Sequence, residues 1–197
     1  MKAASVLALA LFSALPGCAL VVTPEPVQLS NAGFENSLDS GWVRVVTNDS
    51  NTAGYVERSD TLGQPGGGFA ARVFKYHKQF CSLSQAVPID TLGQVASFQA
   101  RFRLGGSVSC SPIAAVVFSY LDSSDRRLGR TVFYLPSQYS TWADSDTQHL
   151  ILATDSTGWN EYSLNLLNEV NANLPGVDAG EVKRLRVELL ASVDYSG

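Results

Sequence analysis

One polar loop of the sequence combines aromatic rings with hydrogen-bonding side chains. Residues 136–146 read PSQYSTWADSD and contain Tyr139 and Trp142. Sugar rings present an apolar C–H face and a polar rim, so a flat aromatic ring flanked by polar groups suits them. An indole in such a loop either folds back onto the protein as a plug or stays exposed and stacks on a ligand. Both interpretations are open, and the second predicts a site for a small polar ring.

A second set of residues could supply polar contacts to the same kind of ligand. His77 and Gln79 lie in the basic turn YHKQF, and Arg103 alternates with apolar residues along a predicted strand. Arginine can bind hydroxyl groups or carboxylates with its planar fork of donors. The alternative for Arg103 is an ordinary solvated strand face.

Signatures of catalysis are missing from the sequence. It has no G-x-S-x-G or C-x-x-C motif, and its two histidines, His77 and His149, lack a metal-ligand spacing. The Gly66–Gly68 turn lacks the Lys-Ser/Thr of a phosphate loop. Glycoside hydrolysis needs two facing carboxylates, and no acidic residue stands on an apolar strand with an evident partner. We therefore expect a protein that is not an enzyme, with a small glycan-cleaving enzyme as a remote alternative.

Composition indicates a folded protein of one domain. The chain has 197 residues, 45% hydrophobic and 16% charged, which is too apolar for disorder and long enough for one core. The formal net charge is -4 and basic residues do not cluster along the chain. Nucleic acid is therefore not an expected partner.

The N-terminus resembles a bacterial lipoprotein signal. Lys2 precedes the uncharged run Ala3–Leu15, which ends in Leu15-Pro16-Gly17-Cys18. The run is shorter than the roughly 20 apolar residues that span a bilayer but suits a signal-peptide core. The resemblance implies cleavage and lipidation at Cys18 and an exported protein anchored to the membrane of a bacterial cell envelope, while an ordinary cleaved signal is the alternative. The predicted segments are a signal peptide (1–17), a Pro-containing tether (18–28) and a binding domain (29–197).

Cysteine usage agrees with export. With Cys18 lipidated, Cys81 and Cys110 remain as an even pair in an oxidising compartment. A disulfide between them would contribute roughly 3–4 kcal/mol by closing a long loop. The alternative is two buried free thiols.

The hydrophobic pattern predicts an all-β fold with one short helix. Ala96–Leu104 alternates strictly, as a half-buried strand does, whereas Ala114–Leu121 is apolar on both faces and predicts a central strand. Helical spacing appears once, over Leu166–Asn173, before Pro175-Gly176. The other predicted strands are Trp42–Val46, Gly54–Arg58, Phe69–Tyr76, Phe80–Val87, Leu128–Tyr134, Gln148–Ala153, Trp159–Leu164 and Glu181–Val193.

Several phrases, in their order, resemble carbohydrate-binding modules of the galactose-binding-like jelly-roll superfamily. The opening LSNAGFENSLDSGW (Leu29–Trp42) is similar to their "N-x-G-F-E … G-W" phrase. The later segments Gly66–Val73, Gln85–Val87 and Thr157–Tyr162 are similar to their glycine turn with "A-L-R" strand, their "x-Q-x-V" strand and their "W-x-x-Y" phrase. The resemblance covers about Leu29 to Val193.

The resemblance implies a jelly-roll β-sandwich that binds polysaccharide or oligosaccharide without converting it. It also implies a structural calcium ion held in part by Glu35, with a surface glutamate as the alternative. Such modules close with an acidic strand, whereas this sequence ends in SVDYSG, so we expect the domain to lack its last strand. The alternative function is a structural or protein-interaction sandwich in an envelope lipoprotein.

Overall fold

The computed structural model describes most of the chain from Val27 onward. The described ranges are 27–47, 53–62, 67–76, 79–89, 92–104, 111–154 and 157–194. The predictions for the signal, for Cys18, for His77 and for Cys110 therefore lie outside the described residues. Within the described residues, no helix is both long enough and apolar enough to cross a membrane.

Ten strands and one α-helix make up the described fold, which confirms the predicted all-β class with one short helix. The strands are β1 (Val43–Val46), β2 (Ala53–Ser59), β3 (Ala70–Tyr76), β4 (Gln79–Pro88), β5 (Val95–Ala100), β6 (Ser111–Leu121), β7 (Arg127–Pro136), β8 (Gln148–Leu152), β9 (Asn160–Asn165) and β10 (Arg184–Asp194). Helix α1 (Leu166–Asn173) follows β9 directly, and a 3-10 turn (Ala179–Glu181) precedes β10.

The strands form one large sheet and two small ones. The large sheet has the order β1-β4-β10-β6-β7-β8, antiparallel except for the parallel pair β7 and β8. The pairs β2–β3 and β5–β9 are separate two-stranded sheets. Buried residues of both pairs pack with buried residues of the large sheet. The arrangement is that of a two-layer sandwich, and we call the packed side of the large sheet its inner face and the opposite side its outer face.

The main core fills the space between the layers because apolar residues alternate along the strands. Phe118 on β6 lies 5.5 Å from Phe98 on β5 between ring centroids, and Phe98 lies 5.2 Å from Tyr162 on β9. Strand β6 also buries its other face, since Ala115 and Val117 have exposed fractions of 4% and 2%. This burial on both faces confirms the predicted central strand, which is flanked by β10 and β7.

Helix α1 begins and ends where its sequence predicts. The Asn165 side chain accepts a hydrogen bond from the Asn168 backbone N–H at 3.0 Å, which caps the first turn. Leu166, Val170 and Leu174 are buried, at the spacing of one helix face. The helix therefore closes one side of the main core.

Strand β4 holds the opening segment Leu29–Trp42 onto the sandwich. The buried Gln85 amide accepts from the Ser30 N–H at 2.7 Å and donates to the Gly41 carbonyl at 2.6 Å. The Trp42 indole is 6% exposed and donates to the Ser30 carbonyl at 3.1 Å. Gly41 has a φ of 91°, in the left-handed region that suits glycine. The opening segment therefore has a structural role, with Trp42 as a core residue.

Cys81 is a free, fully buried cysteine in the structure. This state agrees with the alternative of a buried thiol, and the predicted pairing with Cys110 stays untested because Cys110 lies outside the described residues. Burial raises the pKa of the Cys81 thiol, which keeps it protonated and poorly reactive.

We expect the Cys81 thiol to resist labelling in the folded protein and to label once the protein is denatured without reductant. Peptide mass mapping after alkylation would identify the labelled residue, and the Cys81→Ser variant, which lacks this thiol, is the control. A Cys81 peptide that labels only after reduction would instead establish the disulfide.

Candidate functional site

The outer face of the large sheet carries an aromatic pair, which we define as Trp142 and Tyr134. Their ring centroids are 6.1 Å apart with planes tilted by 16°, so the two rings stack. Trp142 also packs against a buried outer-face cluster and is half-buried. The buried members of this cluster are Ile113, Ala115, Val117 and Val132. The indole therefore combines features of both alternatives, since it folds back onto the sheet but retains some exposure.

Hydrogen bonds to β8 fix the loop that carries Trp142. The Gln148 side-chain amide donates to the Ala143 carbonyl at 2.7 Å, and the Asp144 carboxylate accepts from the Leu150 N–H at 2.7 Å. At the other end of the loop, the Ser111 hydroxyl donates to the Tyr139 carbonyl at 3.1 Å. The loop thus lies against the sheet edge in a defined conformation.

Arg130 on β7 lies beside the aromatic pair. Its guanidinium carbon is 5.1 Å from the centre of the Trp142 ring, within the range of a cation–π contact. Its Nε donates to the side-chain oxygen of Gln148 on β8. Burial, and then the charge of Arg127, lower the pKa of Arg130, while Glu188 acts in the opposite direction. Arginine nevertheless stays charged at neutral pH.

A buried polar network joins α1 to the inner face of β7 and β8. The Glu169 carboxylate lies 2.6 Å from His149 Nδ1 and accepts from the Thr131 hydroxyl at 2.9 Å. It also accepts from the Asn173 amide at 2.8 Å, and the Tyr120 hydroxyl lies 3.2 Å from Thr131 Oγ1. Burial is the main cause that raises the pKa of Tyr120. The network anchors the edge strand β8, which in turn holds the Trp142 loop.

No motif or spacing in the sequence points directly to this network. Glu169 lies beside Val170 on the buried side of α1 and is only 6% exposed. An acidic residue adjoining the apolar face of a predicted helix was the available signal, because a carboxylate buried there needs partners. Besides Asn173 on its own helix, its partners are Thr131 on β7 and His149 on β8, which the sequence alone does not bring together.

The described residues among those predicted to bind the ligand do not lie together in the structure. Tyr139 is 43% exposed and belongs to the Trp142 loop. Gln79 begins β4, three strands away from β7 in the large sheet, and Arg103 is an exposed residue just after β5 in the other layer. The structure thus brings Tyr139 to the aromatic pair and leaves Gln79 and Arg103 apart from it. The residues that sequence reasoning missed are Tyr134, Arg130 and Gln148.

Glu35 is exposed, and the guanidinium of Arg58 lies beside its backbone carbonyl. Arg58 donates to the backbone carbonyls of Phe34 and Glu35, both at 2.5 Å. In the described part of the chain, no group of three or more His, Cys, Asp or Glu residues is arranged to hold a metal ion. Calcium prefers several oxygen ligands, whereas here a guanidinium already occupies two of the nearby carbonyls. The donor set around Glu35 does not fit calcium well, and the predicted ion stays untested.

Comparisons with known proteins add little to this geometry. No protein-family model matches the chain. No curated protein matches it either. Among solved structures, it is similar to the crystal structure of the enzymatically active domain of tailspike protein 4 from Bacteriophage CBA120, with a TM-score of 0.43 and 12% identity. The match covers 86% of this chain and 19% of that one.

Proposed function

We propose that the protein is a non-catalytic carbohydrate-binding domain whose ligand lies on the outer face of the large sheet. The observation that carries the proposal is the aromatic pair with Arg130 and Gln148 beside it. Flat rings next to hydrogen-bonding side chains match the apolar face and polar rim of a sugar. The exposed Tyr139 ring extends this surface.

We also propose export and lipid anchoring at Cys18, from the sequence of the N-terminal segment. A lipid at that position, followed by a short tether, would hold the sugar-binding face near a membrane of the cell envelope.

A binding assay with Trp142→Ala tests the sugar site. We expect the purified protein to bind at least one polysaccharide in an array or pull-down, and the variant to bind about thirtyfold more weakly, because truncation of a central Trp costs roughly 2 kcal/mol. Circular dichroism should confirm that the variant is folded. Gln148→Ala removes a smaller side chain beside the Trp142 ring, and it should also weaken glycan binding.

Trp159→Ala is the matched control for this experiment. Trp159 is also half-buried and has Arg101 over its ring at 5.7 Å, but it lies immediately before β9 in the other layer. We expect its loss to leave glycan binding unchanged. Binding that depends on Trp159 and not on Trp142 would rule out the proposed site, and release of reducing sugar by the pure protein would overturn the non-enzymatic assignment.

A protein-interaction domain is the second candidate, and a separate observation favours it. Val43, Val45 and Phe80 are exposed by 62%, 37% and 39%. The register of β1 with β4 puts them together on the outer face, at the end of the sheet away from Trp142. An apolar patch at a sheet edge suits a protein partner. Glycan binding that survives Val45→Asp would separate this patch from the sugar site.

A further inference from the structure

Four polar residues form a row across the outer face, which we call the arginine row: Arg186, Ser119, Arg130 and Gln148. Arg186 on β10 pairs in register with Ser119 on β6, Ser119 pairs with Arg130 on β7, and Arg130 pairs with Gln148 on β8. Directly opposed residues of neighbouring strands project from the same face. Because Arg186 and Arg130 stand two strands apart, their backbones are roughly 10 Å from each other.

Positive charge is in excess around the arginine row. Among the described residues, neither Arg130 nor Arg186 has a carboxylate within ion-pair distance, whereas the nearby Arg184 and Arg126 are paired with Asp125 and Asp122. Arg127 adds a further positive charge close to Arg130, and Glu188 is the described acid whose charge acts on it. This local excess occurs on a chain of net charge -4.

The geometry of Arg130 suits a carboxylate ligand. Its Nε donates to Gln148 and its flat face lies over Trp142. Among the described residues, no partner contacts its terminal N–H groups, which can therefore donate to a ligand. A guanidinium fork binds a carboxylate through two parallel hydrogen bonds. Because the Arg130 side chain is half-buried and lies near the positive charge of Arg127, the attraction of a bound anion would offset both the cost of burying the guanidinium and that repulsion.

We propose that the outer face binds an anionic polysaccharide, with the arginine row contacting the carboxylates of its acidic sugars and the aromatic pair contacting the sugar rings. This inference rests on the proposed carbohydrate-binding function and specifies its ligand class. Ser119, which is 5% exposed, forms the floor between the two arginines. Glu188 limits the charge excess and disfavours indiscriminate binding of anions.

Two polysaccharides with the same sugar backbone and different charge test this proposal. Polygalacturonate and its methyl-esterified form share one backbone, but the ester lacks the carboxylate charge. We expect the protein to bind polygalacturonate at least about tenfold more tightly than the ester, since a charge-assisted hydrogen bond contributes roughly 1.5–3 kcal/mol. The double variant Arg130→Gln/Arg186→Gln should lose this preference.

A charge-matched double variant controls for the change in net charge. Arg44→Gln/Arg72→Gln removes two arginines from exposed ion pairs elsewhere, and it should bind polygalacturonate within about twofold of the unchanged protein, as is usual for surface substitutions. Thermal melts of both variants should confirm that they are folded.

The possible outcomes separate this inference from the proposed function. Equal, Trp142-dependent binding of both polysaccharides would overturn the carboxylate inference and leave the sugar site standing. Equal binding of polygalacturonate and dextran sulfate would overturn it too, because the row would then attract any polyanion. Absence of binding to every polysaccharide, charged or neutral, would overturn both.

Discussion

Glu169→Ala is expected to lower the free energy of unfolding by about 2–4 kcal/mol, because each buried donor left without its acceptor costs about 1–3 kcal/mol. Glu169 is 6% exposed and is contacted by His149, Thr131 and Asn173 at 2.6, 2.9 and 2.8 Å. Its removal leaves the fully buried Thr131 hydroxyl without its acceptor and separates α1 from β8. Urea denaturation followed by circular dichroism would measure the loss.

Two further variants make this measurement specific. Glu161→Ala removes an exposed glutamate of β9 and should change stability by less than about 0.5 kcal/mol. A double-mutant cycle with His149→Ala isolates the contribution of the Glu169–His149 pair. A loss below about 1 kcal/mol for Glu169→Ala would contradict the buried network.

Phe118→Ala is expected to destabilise the fold by about 3–5 kcal/mol, because it opens a cavity between the layers. Phe118 is 2% exposed and lies 5.5 Å from Phe98 and 6.0 Å from Phe133 between ring centroids. It therefore connects the large sheet to β5 across the core. Equilibrium unfolding in urea gives the change directly.

Phe80 provides the matched comparison, because it is a phenylalanine of the same sheet that is 39% exposed. Phe80→Ala should cost less than about 1 kcal/mol. Similar losses for the two variants would contradict the assignment of Phe118 to the interior and of Phe80 to the surface.

Local pattern was sufficient to predict the secondary structure. The ten predicted strands and the helix all occur, with boundaries shifted by a few residues at most ends. The largest shift is in β5, which was predicted to reach Leu104 and ends at Ala100. Alternation and helical spacing are properties of short segments, so they survive without knowledge of the tertiary contacts.

The candidate site could be predicted only in part. The Trp142 loop was recognisable because a large aromatic pair in a polar segment is unusual in itself. Residue type and strand position favour Arg103 and Gln79 as ligand-binding residues, but the strand order puts them far from Trp142. Arg130 is not recognisable from the sequence, because nothing in its neighbours along the chain indicates that an indole lies above it.

Residue periodicity within each segment is enough to define the all-β class, the strands and the short helix. Which side chains share a surface depends instead on how the strands are ordered and paired in the folded protein. Arg130 and Arg186 are far apart in the sequence and no basic cluster appears there, yet the order β10-β6-β7 aligns them on one face. Sheet register joins residues at right angles to the chain, so a site built across strands is not visible along it.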